Sequence, residues 1–128
     1  VRAGATEALG KIATRKPALV EPLLERALRD PSHDVRMTAT RGLADAWAHG
    51  KDVLTLETAL TGAEADSAER FVALEALVRK AQAADQRKAV EAALERVAKN
   101  GPALARLAAE VGRAFLGTSP EAMQAFLD

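Results

Sequence analysis

The chain has 128 residues, with 18 Lys+Arg against 18 Asp+Glu, two His and no Cys. That length holds one domain with a modest core and leaves no room for a catalytic domain beside an accessory one. Zero net charge excludes a uniformly basic phosphate-coating surface, the missing Cys excludes disulfides, thiolate zinc and a cysteine nucleophile, and no run approaches the about 18 apolar residues of a membrane span.

Hydrophobic residues make up 48% of the chain but aromatics only 3%. The apolar content is therefore mostly Ala and Leu, the strongest helix formers, and the prediction is an all-α fold. The chain opens on Val1-Arg2-Ala3-Gly4, with neither an initiator Met nor a signal-peptide pattern. It reads as a piece of a longer protein whose targeting signals lie elsewhere, the cytoplasm being the default. A first helix is predicted over 2–14. Arg15-Lys16-Pro17 ends it and puts Pro17 in the first turn of the next, 17–29, where Pro22 should kink the helix or delay its start. Asp30-Pro31-Ser32-His33-Asp34 is a polar turn, with Asp34 capping a helix over 34–48. Gly42 costs that helix about 1 kcal/mol relative to Ala, and is expected where a neighbouring helix comes close. Helices at 52–61, 66–82, 86–99 and 102–116 follow between Gly- and Asp-containing breaks. Asn100-Gly101-Pro102 and Gly117-Thr118-Ser119-Pro120 are the strongest stop-and-restart signals, and a short helix starts at 120.

An internal repeat orders these elements. Val1-Arg2-x-x-Ala5-Thr6-x-x-Leu9 returns 34 residues later as Val35-Arg36-x-x-Ala39-Thr40-x-x-Leu43. A second step gives Glu69-Arg70-x-x-Ala73-x-x-x-Leu77, and a third sets Leu107 and Val111 under Ala73 and Leu77 with the Arg lost. The spacing of four makes each copy one buried stripe of a helix, and a period of this size marks a stacked-repeat architecture.

Asp30-x-x-x-Asp34-Val35-Arg36-x-x-Ala39-x-x-x-Leu43, after the apolar Leu19-Val20-x-Pro22-Leu23-Leu24, resembles the HEAT repeat, in particular the short bacterial HEAT-like repeats of the phycobilisome-lyase type. The resemblance implies a right-handed α–α superhelix of stacked antiparallel helix pairs. It makes 1–128 a single domain: an orphan second helix at 1–15, repeats at 17–48, 51–82 and 85–117, and the start of a further helix at 120–127. It also implies a structural ladder of Asp30 or Asp34 with Arg36 and Arg2, and of Glu64 or Asp66 with Arg70. The competing reading of these arginines, an anionic ligand, is less economical, since a repeating Arg beside a repeating acidic turn needs no ligand to explain it.

In such a stack the second helices line the concave, partner-binding surface. The exposed pairs there are Glu7 with Lys11, Arg41 with Asp45, and Glu75 with Arg79, each i,i+4 and opposite in sign. Stacked side by side they predict a neutral checkerboard that focuses little field on any partner. At the last repeat the equivalents become Ala109 and Arg113, leaving Arg113 unpaired beside Arg79, with Arg106 nearby. Met37 and Phe71 fall at equivalent positions one turn earlier, and Trp47 near the end of its helix. Met37, Phe71 and Trp47 are candidate anchors for a protein partner; the competing reading puts them in the core, which is favoured for Phe71 and evenly balanced for Met37 and Trp47.

His33 and His49 stand at opposite ends of one predicted helix, over ~20 Å apart, and Ser32-His33-Asp34 in consecutive positions is not a triad geometry. Without a phosphate-binding glycine loop or paired ligating histidines, the chain is expected to have no enzymatic activity, cofactor or metal. The expectation is a protein-interaction or spacer module within a larger protein. Its partners would be a protein or neighbouring domains, with weak self-association through exposed end repeats such as the side of the first helix around Ala8 and Ile12. The alternative from another class is a HEAT-like nucleic-acid binder working through Arg79, Arg106 and Arg113. It is disfavoured because the remaining arginines are spent on the ladder and the exposed rows alternate in sign.

Overall fold

Alternation of Ala/Leu stripes with short polar breaks produces helices throughout the computed structural model, which describes residues 4–8, 17–62 and 66–117. The elements are α1 (residues 4–8), α2 (Pro17–Ala27), α3 (His33–Gly50), α4 (Val53–Thr61), α5 (Ser67–Lys80), α6 (Ala84–Asn100) and α7 (Ala103–Leu116). No strand occurs among the described residues.

The helix starts follow from side-chain capping. Asp52 and Asp66 accept from the backbone N–H groups of Thr55 (2.8 Å) and Glu69 (2.9 Å), three residues on, satisfying donors that the first turn leaves orphaned. Ser32 caps α3 by accepting from Val35 at 3.5 Å. The cap expected at Asp34 is therefore two residues too late: Asp34 lies inside the first turn, where its charge favours the positive end of the helix dipole. Pro102 begins α7 and Ala83 begins α6, both without a side-chain cap. Pro22 sits inside α2 without ending it. That helix stops at Ala27 instead, where Arg29 and Asp30 switch to i→i−3 bonds onto Arg26 and Ala27.

Consecutive helices pair: α2 on α3, α4 on α5, α6 on α7. The second members also pack in succession, α3 on α5 and α5 on α7, while α4 meets α6. The central α5 is thus surrounded, and Val72, Ala73, Leu74, Ala76, Leu77 and Val78 are all buried, the nearly all-round apolar pattern of a helix covered by several neighbours. The large side chains Leu24, Leu43, Leu56, Leu60, Leu77 and Leu94 are fully buried. The stripes Ala39/Leu43 and Ala73/Leu77 face the core as their spacing predicts. In α1 the buried residue is Thr6, while Ala5 and Ala8 are exposed; Leu9, Lys11 and Ile12 lie outside the described residues.

The last pair departs from the predicted register. The N-caps Ser32, Asp66 and Pro102 stand 34 and then 36 residues apart, so α7 is shifted by two residues against the sequence repeat. Leu107 and Val111, expected under Ala73 and Leu77, are consequently 64% and 42% exposed. Counted from the caps, the row Ala39, Ala73, Ala109 is fully buried. Three residues on, the row Gly42, Ala76, Gly112 keeps the helix surface small. A Cβ on Gly112 would lie 2.7 Å from Leu74 Cδ1 and 3.2 Å from Leu94 Cδ1, so any side chain there would push these leucine ends aside where α7 meets α5 and α6. Gly42 of α3 is half-buried.

Polar links tie one pair to the next. Arg29 reaches Asp66 at 2.5 Å and Glu69 at 3.6 Å, Arg96 of α6 forks onto Glu57 of α4 at 2.6 and 3.2 Å, and Lys80 Nζ donates to the Ala48 carbonyl at 2.9 Å. Three substitutions test this packing by urea unfolding. Leu77→Ala should cost about 2–5 kcal/mol as a cavity, and Gly112→Leu about 1–3 kcal/mol by overpacking. Asp66→Ala should cost about 1 kcal/mol through the lost cap. The Glu69 N–H, with help from Arg29, holds the Asp66 carboxyl below its ordinary value of 3.8. Its contribution is therefore present above that value and lost as pH falls through the lower folded-state pKa, so Asp66→Ala should flatten the acid limb of the stability curve.

Candidate functional site

The N-cap register places three rows of side chains across the outward edge of α3, α5 and α7. The first row is Met37, Phe71 and Leu107: Met37 is half-buried, Phe71 is 51% exposed and Leu107 is 64% exposed. The second is Arg41, Glu75 and Val111, and the third Asp45, Arg79 and Phe115. The surface therefore changes character along the stack, polar over α3 and apolar over α7.

Phe71, expected in the core, is on the surface, and Trp47, a candidate anchor, is in the core at 8% exposure. Trp47 has Lys51 Nζ 5.2 Å from its ring centroid, a cation–π distance, while its Nε1 is buried without a hydrogen-bond partner. The checkerboard is also not the exposed one predicted. Glu75 and Arg79 side chains are only 14% and 24% exposed, with Arg79 Nη2 3.9 Å from Glu75 Oε1. Burial pushes the Glu75 carboxyl above its ordinary 4.5 despite the pull of Arg79 and Arg41, and its Oε2 and Arg79 Nε are buried without partners. Asp45 turns along its own helix, its carbonyl oxygen accepting from His49 Nδ1 at 2.8 Å. Arg113, expected unpaired, lies 3.4 Å from Glu110 Oε1.

Two arginines of the predicted ladder, Arg36 and Arg70, donate to backbone carbonyls. Arg36 Nη1 donates to the carbonyls of Asp30 and Pro31 at 2.8 and 2.9 Å, and Arg70 Nη2 to the Gly62 carbonyl at 3.1 Å. Each thus pins the loop leading into its own helix. Asp30 Oδ1 accepts from the Ser32 N–H within the turn, Asp34 is exposed, and Asp66 is engaged by Arg29 instead of Arg70. Arg2 and Glu64 lie outside the described residues. Arg106 occupies the corresponding place in α7 and is exposed.

Between α5 and α7 the apolar rows form an open groove of about 260 Å³. Phe71 and Leu74 make one wall, Leu104, Leu107 and Val111 the other, and among the described residues Arg70 is the only charged one lining it. Leu104, Leu107 and Val111 can face outward because the small residues Ala105, Ala109 and Gly112 fill the buried face of the same helix. The sequence reading missed this groove by carrying the 34-residue step through. The signal that finds it is the cap: counting from Pro102 separates two apolar faces in one helix. A second groove, about 440 Å³ between α6 and α7, is charged, but Arg87 and Glu91 on its wall pair at 2.9 Å and Arg87 Nη2 also donates to the Leu116 carbonyl.

Exposed His33 and His49 stand at the two ends of α3. Among the described residues no group of three or more His, Cys, Asp or Glu converges as metal ligands, and no helix is long and apolar enough to cross a membrane. Comparison of the chain with family models, with curated proteins and with solved structures finds no match.

The buried Glu75 sets a pH dependence. Its folded-state pKa is raised, so the native state holds this proton more tightly, and stability from this group is complete below 4.5 and falls as pH rises through its titration. Glu75→Gln should remove that downward slope, measured as unfolding free energy against pH. An unchanged profile would mean that the carboxyl is better solvated than its burial implies.

Proposed function

We propose that this chain is a non-catalytic protein-interaction module, built as a HEAT-like right-handed stack of helix pairs, whose partner sits on the α5–α7 groove. Exposure of Phe71, Leu104, Leu107 and Val111 around one apolar depression carries the reading. Contiguous exposed apolar surface of this kind marks interaction sites, and a spacer that contacts nothing has no use for it. The stacked arrangement is supported by the succession α3–α5–α7 and by recurrence of cap, Arg, Ala and small residue at matching distances in three helices.

An alternative origin for the groove is a stacking face left open at the end of the array. The chemistry of α7 argues against it. Leu74, which meets Gly112, corresponds in α7 to Glu110, and the buried Leu43 and Leu77 correspond to Arg113. Glu110, Arg113 and Arg106 are all exposed. A following helix pair would have to bury an ion pair where earlier pairs bury leucine. The groove lies on a different side of α7, so it is surface set aside from the stacking.

Affinity capture with the purified chain, run beside a fluorescence titration with short duplex DNA at ~0.1 M salt, tests the reading. A protein captured by the wild type should be lost with Leu107→Glu, while the thermal melt stays within about 0.5 kcal/mol because Leu107 is exposed. Submicromolar duplex affinity with a steep salt slope, or capture indifferent to Leu107→Glu, would overturn it.

A further inference from the structure

The two ends of the groove differ in charge. Leu104, in the first turn of α7, marks one end, and Arg70, near the start of α5, lines the wall beside it. α7 begins at Pro102 without a side-chain cap, so first-turn N–H groups remain open there and the positive end of the helix dipole adds to the Arg70 charge. The acidic residues that begin α5, Asp66 and Glu69, are engaged by Arg29. Arg70 uses one guanidinium nitrogen, Nη2, on the Gly62 carbonyl, and its Nε is buried without a partner. Of the five N–H donors of a guanidinium, most are uncommitted. Arg36, its counterpart in α3, spends two bonds on its own turn.

The apolar wall has a helical spacing. Leu104, Leu107 and Val111 recur at intervals of three and four along α7, and the half-buried Phe115 continues the line. That is the seam along which a second helix packs. A volume of about 260 Å³ lies below the ~300–1,000 Å³ of small-molecule pockets. It suits a few side chains delivered by a larger partner.

Resting on the interaction-module reading, we infer that the groove takes an amphipathic helix of a protein partner, with two apolar side chains one turn apart seated against Phe71, Leu104, Leu107 and Val111, and a carboxylate on the neighbouring turn bound by Arg70. The apolar part supplies most of the contact. The carboxylate fixes the direction of the helix, because only one end of the groove is positive.

The probe is a display library of random 16-residue peptides selected on the intact 128-residue chain, the best binder then being synthesised for anisotropy titration. Enriched sequences should share two large apolar residues three or four apart and an Asp or Glu within one turn of them. Leu107→Glu should weaken the synthetic peptide by about tenfold or more. Arg70→Gln should weaken it about tenfold, and replacing the acidic residue of the peptide by its amide should cost wild-type binding the same factor. That second measurement needs no change in the protein. The two losses should not add when combined, since both remove one contact. Enriched peptides that need Leu107 but are neutral or basic, and indifferent to Arg70→Gln, would overturn the acidic-helix inference and leave the interaction module standing. A library yielding no binder, or binders indifferent to Leu107→Glu, would overturn both.

Discussion

Contact distance between the second helices is the constraint on which the rest depends. α5 lies between α3 and α7, and α7 comes close to it where Gly112 meets the side-chain ends of Leu74 and Leu94. Once Ala105, Ala109 and Gly112 are committed to that contact, helical geometry turns Leu104, Leu107 and Val111 away from it. The apolar groove is thus a by-product of the tight seat, because one helix cannot present its small residues inward without presenting its large ones elsewhere. The buried leucines of α4, α5 and α6 then fill the layer behind. The ion pairs that cross between pairs, Arg29 with Asp66 and Arg96 with Glu57, are half-exposed and add register more than energy.

Much of this was legible in the residues. Gly, Pro and Asp mark the breaks, Ala and Leu mark the buried stripes, and both hold in the fold because they are local properties. What was not legible depended on neighbours. Phe71 and Trp47 exchange the roles their sizes suggest: Phe71 is exposed on α5, and Trp47 is enclosed near the end of α3. A period can tell which residues share a face, but not which face is covered. The two-residue shift of α7 was hidden for a similar reason. The 34-residue match rewards Leu107 and Val111 as leucine-like, whereas packing selects Ala109 and Gly112 by their smallness. The arginines were read as partners of nearby carboxylates, yet Arg36 and Arg70 satisfy loop carbonyls that no sequence pattern exposes. Those carbonyls would otherwise lack donors at a helix entry, where a guanidinium can pin several at once.

The rows across α3, α5 and α7 also explain why the surface is divided. Arg41, Glu75 and Arg79 form a compact charged group in the middle of it, partly sunk between helices, and it separates the polar edge of α3 from the apolar edge of α7. A ligand covering both regions would have to desolvate Glu75 further, which its raised pKa already resists. The groove is therefore bounded by chemistry on that side as well as by shape.

Its two walls differ in how firmly they are held. α5 is capped by Asp66 and enclosed by its neighbours, whereas α7 begins uncapped and keeps half its circumference in solvent. Amide exchange on this scaffold should accordingly run fast in α7 and slowest in α5, the hierarchy of a protein that opens from one side. A ligand lodged between a fixed wall and a fraying one binds the closed form alone. It would then report its own presence as protection spreading into the α7 amides, by the same mass action that raises the stability of any state a ligand prefers.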